Sequence, residues 1–260
     1  KVRVGDAAPT ERRLLTSPEG PMKRLLAQGS GPIYQFAHAF RDGEVGRRHA
    51  VEFTMLEWYR PGFDHHELMD EVEGLVQELL PGTRRAPFDR VTYREMFVEF
   101  AAIDPFETSL GAIGERCDVL GLDVPPGFGA GTIDDALDLV LVSHVEPRLA
   151  AERPLFVYGY PPSQAALARV RAPTGDQPAT ADRFELYCRG VELANGYHEL
   201  SDAEEQRRRF EEANCARVAS GRDALPVDEA LLDALRAGFP PCAGVALGFD
   251  HALLFAGHQH

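Results

Sequence analysis

From Val51 to Tyr59 the chain reads VEFTMLEWY, a run of β-branched and aromatic residues closed by Pro61–Gly62, and this pattern predicts a strand. Period two places Phe53, Met55, Glu57 and Tyr59 on one face. A carboxylate on an apolar face is costly without a partner, so Glu57 is a candidate for binding something positive. Just beyond, Asp64 stands three residues before Glu67, the spacing of a helix N-cap. Leu68, Val72, Leu75, Val76 and Leu79 follow at helical spacing until Pro81–Gly82. His65 and His66, in the first turn, read as surface residues rather than ligands.

Residues 84–150 read as mostly helical, with Tyr93–Ala101 and Ala136–Val145 the clearest helices and PPGFGAG at 125–131 a loop. That loop's glycines follow no strand and precede no GK[ST], so they do not form a phosphate cradle. PLFVYGY, Pro154–Tyr160, reads as a buried strand; 171–182 reads as an exposed loop, and Phe184–Leu193 as another strand. Asp202 with Glu205 opens a helix that runs to about Ser220, and Asp228–Ala237 forms a further helix stopped by Gly238. CAGVALGF, 242–249, is the final strand. Strands and helices do not alternate strictly, which predicts an α+β fold: an antiparallel sheet flanked by helices.

Length bounds the chain of 260 residues at one large domain or two small ones. The net charge is −14, from 41 acidic and 27 basic residues, so broad contact with a nucleic-acid backbone is disfavoured. The arginine clusters at 12–13, 47–48 and 207–209 are too short to reverse that and read as solvated surface. Cys117, Cys188, Cys215 and Cys242 form no CxxC pair, which points to reduced thiols in a cytoplasmic protein. There is no secretory signal or membrane span, and a chain opening on Lys1 reads as a mature or trimmed fragment.

Polar residues interrupt apolar company in TSPE (16–19), FRDGE (40–44), EFTMLEWYR (52–60) and GVELANGYHEL (190–200). Together with MKRLL, GSGPIYQF, DAEEQ and GVALG, these stretches resemble the class II lysyl-tRNA synthetase superfamily from about Thr16 to Asp250. Among its branches, the chain is most similar to the short paralogues that attach (R)-β-lysine to elongation factor P. The resemblance implies a single class II synthetase-like catalytic domain over 1–260, with a mainly helical insertion at about 64–150 and no anticodon-binding domain. It implies an aminoacyl-adenylate-forming ligase that uses ATP and Mg²⁺, acts on a lysine-type amino acid and on elongation factor P rather than tRNA, and works as a homodimer. By the same resemblance Arg41 is the catalytic arginine that grips the α-phosphate, through a planar fork that lysine lacks. Glu192 and Glu199 match the metal-holding pair. Ser17, Glu19, Glu57, Tyr59, Asn195 and Glu199 match substrate-binding positions. Arg41, Asp42, Glu192, Leu193 and Gly248 match ATP-binding positions. The central expectation is that Arg41, Glu192 and Glu199 serve one nucleotide triphosphate.

The chain departs from the family's pattern in places. HAVEF at 49–53 stands where the family carries HNPEF, and His251 stands where the third motif has an arginine. The reading favours a short segment missing near Asp250 over a plain substitution at His251. Two alternatives stay open: a module that loads another carrier protein, and a decayed paralogue that acts as a binding subunit.

Overall fold

In a computed structural model, residues 2–4, 10–12, 14–41, 50–83, 86–149 and 153–257 are described, with backbone alone at 2–4, 10–12 and 81. The chain opens with β1 (Val2–Val4) paired antiparallel to β2 (Thr10–Arg12). α1 (Glu19–Ala27), β3 (Ile33–Phe40) and β4 (Glu52–Pro61) follow. α2 (His65–Leu79) starts where the sequence places it, since the Asp64 carboxylate accepts the backbone N–H groups of His66 and Glu67, and Glu67 returns a bond to the Asp64 N–H. β5 (Asp89–Thr92), α3 (Tyr93–Ala101), α4 (Leu110–Leu120) and α5 (Ile133–Val140) come next, and α5 widens into a π-helical turn at Leu141–Val145. β6 (Leu155–Tyr160), β7 (Val170–Arg171), β8 (Thr180–Cys188) and β9 (Val191–His198) lead to α6 (Ala203–Ala219), α7 (Glu229–Gly238), β10 (Cys242–Gly248) and α8 (Phe249–Gly257).

These elements form two compact units, one of residues 1–62 with 201–260, the other of 63–200. In the first, β4 lies between β3 and β10, antiparallel to both. Glu57 is opposite Gln35 and Ala246, and Tyr59 is opposite Ile33 and Gly244, so both side chains rise from a central strand. α7 carries Leu231, Leu232 and Leu235 at helical spacing. Leu231 and Leu235 join Met22, Leu26, Tyr59, Phe239 and Cys242 in a dry cluster. Each large apolar side chain contributes roughly 1.5–3 kcal/mol on full burial, and Tyr59 is packed within this cluster.

In the second unit the strand order is β9, β8, β6, β5, with β7 also on β8. β5 and β6 run parallel, a departure from the antiparallel expectation. A parallel pair needs a crossover, which α3, α4 and α5 supply. β5 escaped the sequence reading because four residues are too few to show alternation. The core is aromatic at its centre: Tyr93 lies 4.6 Å from Phe97 and 4.7 Å from Tyr160, ring centre to ring centre.

Three sequence expectations are corrected in this unit. Phe184–Leu193 is not one strand, because Arg189 (φ 52°) and Gly190 (φ 69°) turn the chain between β8 and β9. Two consecutive left-handed residues match the twist of a tight hairpin. The stretch 171–182 is not all exposed loop: it begins in β7 and ends in β8, where Ala181 and Asp182 are buried. Finally, His65 is buried at 2% exposure rather than lying on the surface.

The β8–β9 pairing contains a one-residue irregularity that matters for the site. Glu185 faces Asn195 and Leu186 faces Ala194, but Tyr187 faces Glu192, leaving Leu193 as an extra residue on β9. In a regular strand, Glu192 and Asn195, three apart, would point to opposite faces. The bulge returns Glu192 to the face of Asn195 and Tyr197, alongside Arg183, Glu185 and Tyr187 of the neighbouring strand.

Candidate functional site

The first unit gathers Ser17, Glu19, Glu57 and Tyr59 into one polar cluster, with Glu57 and Tyr59 buried and Ser17 and Glu19 half-buried. Alternation along β4 turns Glu57 and Tyr59 to the same side, where the Tyr59 hydroxyl donates to Glu57 Oε1 at 2.6 Å. The turn entering α1 brings the Ser17 hydroxyl to Glu57 Oε2 at 2.8 Å, while Ser17 Oγ accepts the Glu19 N–H at 3.0 Å. One helical turn on, the Lys23 ammonium, 1% exposed, donates to Glu19 Oε1 at 2.6 Å. The Glu57 carboxyl is pushed up to about 7, by burial first and then by the negative charge of Glu19; the Tyr59 and Ser17 hydrogen bonds and Lys23 pull the other way. Among the described residues, two carboxylates thus meet one ammonium and two hydroxyls, and a further cation would relieve the excess negative charge.

Lys23 was given no role by the sequence reading. Its helical spacing from Glu19 was visible, but so was a place in the ordinary run MKRLL.

Arg41 follows β3 directly and lies over the Phe53 ring, its guanidinium carbon 5.3 Å from the ring centre. Its backbone N–H donates to the Val51 carbonyl at 2.9 Å, so β3 and β4 hold its base. A guanidinium resting on an aromatic face is restricted in the directions its planar fork can take. Gly248 ends β10 opposite Met55. In α8, Asp250 accepts the Thr54 N–H at 2.8 Å and His251 sits in the first turn. Asp42 lies outside the described residues.

The second unit holds Glu192, Leu193, Asn195 and Glu199 on or beside β9. Glu192 is exposed, Glu199 is 3% exposed, and Leu193 is buried. The polar group centred on this face is one that the sequence reading missed. Glu185 Oε1 accepts from the Arg183 guanidinium and from Asn195 Nδ2 (2.9 Å), and Oε2 accepts from the Tyr187 hydroxyl at 2.7 Å. Arg183 also donates to the Gln164 carbonyl at 2.7 Å and lies 4.4 Å over the Tyr160 ring. Burial works against its charge, but Glu185 beside it outweighs burial and holds the guanidinium more firmly protonated than usual. Burial, then the charge of Glu185, likewise pushes the Glu146 carboxyl up. The signal available in the sequence was Arg183–Phe184–Glu185, two opposite charges at period two inside a run that otherwise reads as apolar.

A third polar group, also in the second unit, surrounds Asp182. This residue, 1% exposed, accepts from Arg169 at 2.6 Å and Arg171 at 2.6 Å. Burial raises its carboxyl, yet the arginine hydrogen bonds and the neighbouring charges win and lower it. His65 lies 3.9 Å from the same carboxylate, and its imidazole is held down to about 4, by burial first and then by His66.

No group of three or more His, Cys, Asp or Glu residues arranged to hold a metal occurs among the described residues. Mg²⁺, however, is usually held by one or two carboxylates completed by substrate phosphates and water, so a glutamate pair fits the chemistry of that ion. No helix among the described residues is long and apolar enough to cross a membrane.

Comparison with known proteins places residues 8–259 in a match to the family of class II tRNA synthetases (D, K and N). The chain is 45% identical over 249 residues to the elongation factor P–(R)-β-lysine ligase of Vibrio atlanticus, covering 95% of this chain and 74% of that protein. It is 44% identical over 262 residues to the protein of the same name from Erwinia tasmaniensis, covering 98% and 76% respectively. The Vibrio cholerae ligase is 45% identical over 262 residues, covering 100% of this chain and 78% of the relative.

Proposed function

The chain belongs to the class II tRNA synthetase family (D, K and N), and from that premise we propose that it is an ATP-dependent ligase activating (R)-β-lysine, or lysine, for transfer to a lysine side chain of elongation factor P. The observation that carries the amino-acid half of this reading is the partly buried Ser17–Glu19–Glu57–Tyr59 cluster, whose excess of carboxylate over ammonium among the described residues suits a cationic amine.

In the first step the substrate carboxylate attacks the α-phosphorus of ATP in line, an aminoacyl-adenylate forms, and pyrophosphate departs. Positioning and charge neutralisation dominate such a step. Arg41 takes the α-phosphate oxygens through its planar fork, and Phe53 beneath it restricts where that fork points. Glu192 and Glu199 are the residues that would hold Mg²⁺, which supplies neutralisation of phosphate charge when bound. Asp42, Leu193 and Gly248 complete the nucleotide contacts. In the second step the acceptor lysine amine attacks the adenylate carbonyl, an amide forms, the amine proton is lost, and AMP leaves.

Glu57 and Glu19 receive the ammonium groups of the amino acid, Ser17 and Tyr59 fix the Glu57 carboxylate, and Asn195 and Glu199 supply further acceptors. The same reading has the enzyme working as a cytoplasmic homodimer without tRNA.

ATP–pyrophosphate exchange with (R)-β-lysine, with L-lysine and without amino acid tests the first step. The expected result is exchange that depends on a lysine isomer and on Mg²⁺. Intact mass of elongation factor P after incubation tests the second. Exchange without any mass gain would redirect the reading to another carrier, and no exchange with either isomer would end it.

A further inference from the structure

We infer that Lys23 is a positioning residue: the internal counter-ion that lets Glu57 carry its charge beside Glu19, so that the two carboxylates act as separate receptors for amines. This rests on the reading of Glu19 and Glu57 as the amino-acid site. Lys23 is 1% exposed and lies on α1 with Met22 and Leu26, the other buried residues of that helix. Burying an ammonium is costly, and an apolar side chain here would extend the cluster of Met22, Leu26 and Tyr59 without that cost. Packing alone therefore does not account for a lysine at this position.

Helix pitch fixes what the ammonium can do. Glu19 opens α1 and Lys23 follows four residues later, so the two side chains meet on one face, Nζ 2.6 Å from Glu19 Oε1. From Glu19 the contacts continue through Ser17, whose Oγ accepts the Glu19 N–H and whose hydroxyl donates to Glu57 Oε2. Two carboxylates joined through one serine oppose each other's ionisation. After burial, Glu19 is the largest influence against a charge on Glu57, and Lys23 acts the opposite way.

The charges of the helices packed beside α1 are committed elsewhere. Asp228, at the start of α7, bonds to Arg24, while Glu229 and Asp233 bond to Arg207 and Arg236. On α6, Glu204 pairs with Arg236, and Glu205 with Arg208 and Arg209. Opposite Glu57 on β3 and β10 stand Gln35 and Ala246, which carry no charge.

A lysine-type amino acid has two ammonium groups and one carboxylate, a single net positive charge. Glu19, Glu57 and Lys23 together carry a single net negative charge, so the loaded site is electrically balanced. Without Lys23, two carboxylates stand uncompensated, and Glu57, the more deeply buried, takes a proton near neutral pH and ceases to receive an amine.

The experiment is Lys23→Met in the full chain, with amino-acid KM and ATP KM read separately by pyrophosphate exchange between pH about 6.5 and about 8.5. If Lys23 were only a cation repelling the substrate, its removal would lower amino-acid KM. The inference demands a rise near neutrality that fades in alkali: about fivefold at pH about 7 and within about twofold at pH about 8.5. This is the pattern of a break in the profile that moves up by about one pH unit. ATP KM should stay within about twofold, and the thermal midpoint within about 4 °C, since water can serve the oxygen freed on half-buried Glu19.

Lys23→Gln keeps a hydrogen-bond donor and removes the charge, so it should move the profile in the same direction; it carries the test if Lys23→Met does not fold. In the double variant Lys23→Met with Glu19→Gln, the repelling carboxylate leaves together with its counter-ion. The break should then return to within about half a pH unit of wild type, while amino-acid KM stays high because one receptor is gone.

An unchanged or lower amino-acid KM at pH about 7, a rise of the same size at every pH, or an equal rise in ATP KM overturns the inference. So does a break that stays displaced in the double variant. A wild type that exchanges with a lysine isomer while the variants depart from this pattern leaves the functional reading standing. A wild type that exchanges with neither isomer removes both.

Discussion

Two carboxylate–tyrosine pairs, one in each unit, are built by the same rule and end in opposite electrostatic states. In Glu57–Tyr59 and in Glu185–Tyr187, period two on a strand lets the phenol donate to the carboxylate, at 2.6 and 2.7 Å. Glu185 also has Arg183 against it, so its charge is cancelled within the protein. Among the described residues Glu57 has hydroxyl donors alone, since the nearby ammonium of Lys23 bonds to Glu19, and its carboxyl rises to about 7. The difference separates two uses of a buried acid. A carboxylate neutralised from inside is a framing element that holds other groups in place, whereas one left in excess is a receptor waiting for a cation.

That contrast can be broken most directly at Arg183. Arg183→Leu leaves Glu185 buried without its cation, and urea denaturation should show a loss of about 3–5 kcal/mol. If stability barely changes, the second cluster is not a framing element.

Glu57→Gln should do the reverse. It keeps the shape and removes the receptor charge, so amino-acid KM in the exchange assay should rise by about two orders of magnitude, as expected when a buried charge pair with a ligand is lost. The fold should not suffer. Because the folded carboxyl lies above its usual 4.5, ionised Glu57 weakens the native state. The penalty is absent below about 4.5, grows as pH rises towards about 7, and is complete above that, at most roughly 3 kcal/mol. Thermal unfolding at pH about 8 should accordingly find Glu57→Gln at least as stable as wild type.

The finest discrimination is in the pH profile. An ammonium ligand requires ionised Glu57, so amino-acid KM should fall as pH rises through about 7, steepening below it towards about tenfold per unit. The Glu57→Gln variant should lack this step. A wild-type profile that is flat between pH about 6 and about 8 would remove Glu57 as the titrating receptor.

The receptor side of this comparison was legible in the sequence and the framing side was not. Glu57 stood out because a charge among Phe53, Met55 and Tyr59 violates the apolar pattern, and the cap at Asp64 and the stop at Gly238 are local chemistry that survives folding. Arg183 and Glu185 carry opposite signs two residues apart, and their partners Gln164 and Asn195 are fixed only by strand pairing. His65 failed for a related reason: in sequence it occupies a helix first turn, where exposure is usual, and only tertiary packing beside the Asp182 carboxylate buries it. The turn at Arg189–Gly190 lay inside a run with continuous β character, so the hairpin read as one strand.

The extra residue at Leu193 gives the β8–β9 ribbon a change of phase. Upstream and downstream of it, odd and even positions exchange sides, so Glu192 and Asn195 share a side despite their odd separation. Spacing in the linear chain is therefore a poor ruler for this ribbon, and a designer who flattened the bulge while keeping Leu193 would rotate one acidic group out of line with every named residue still present.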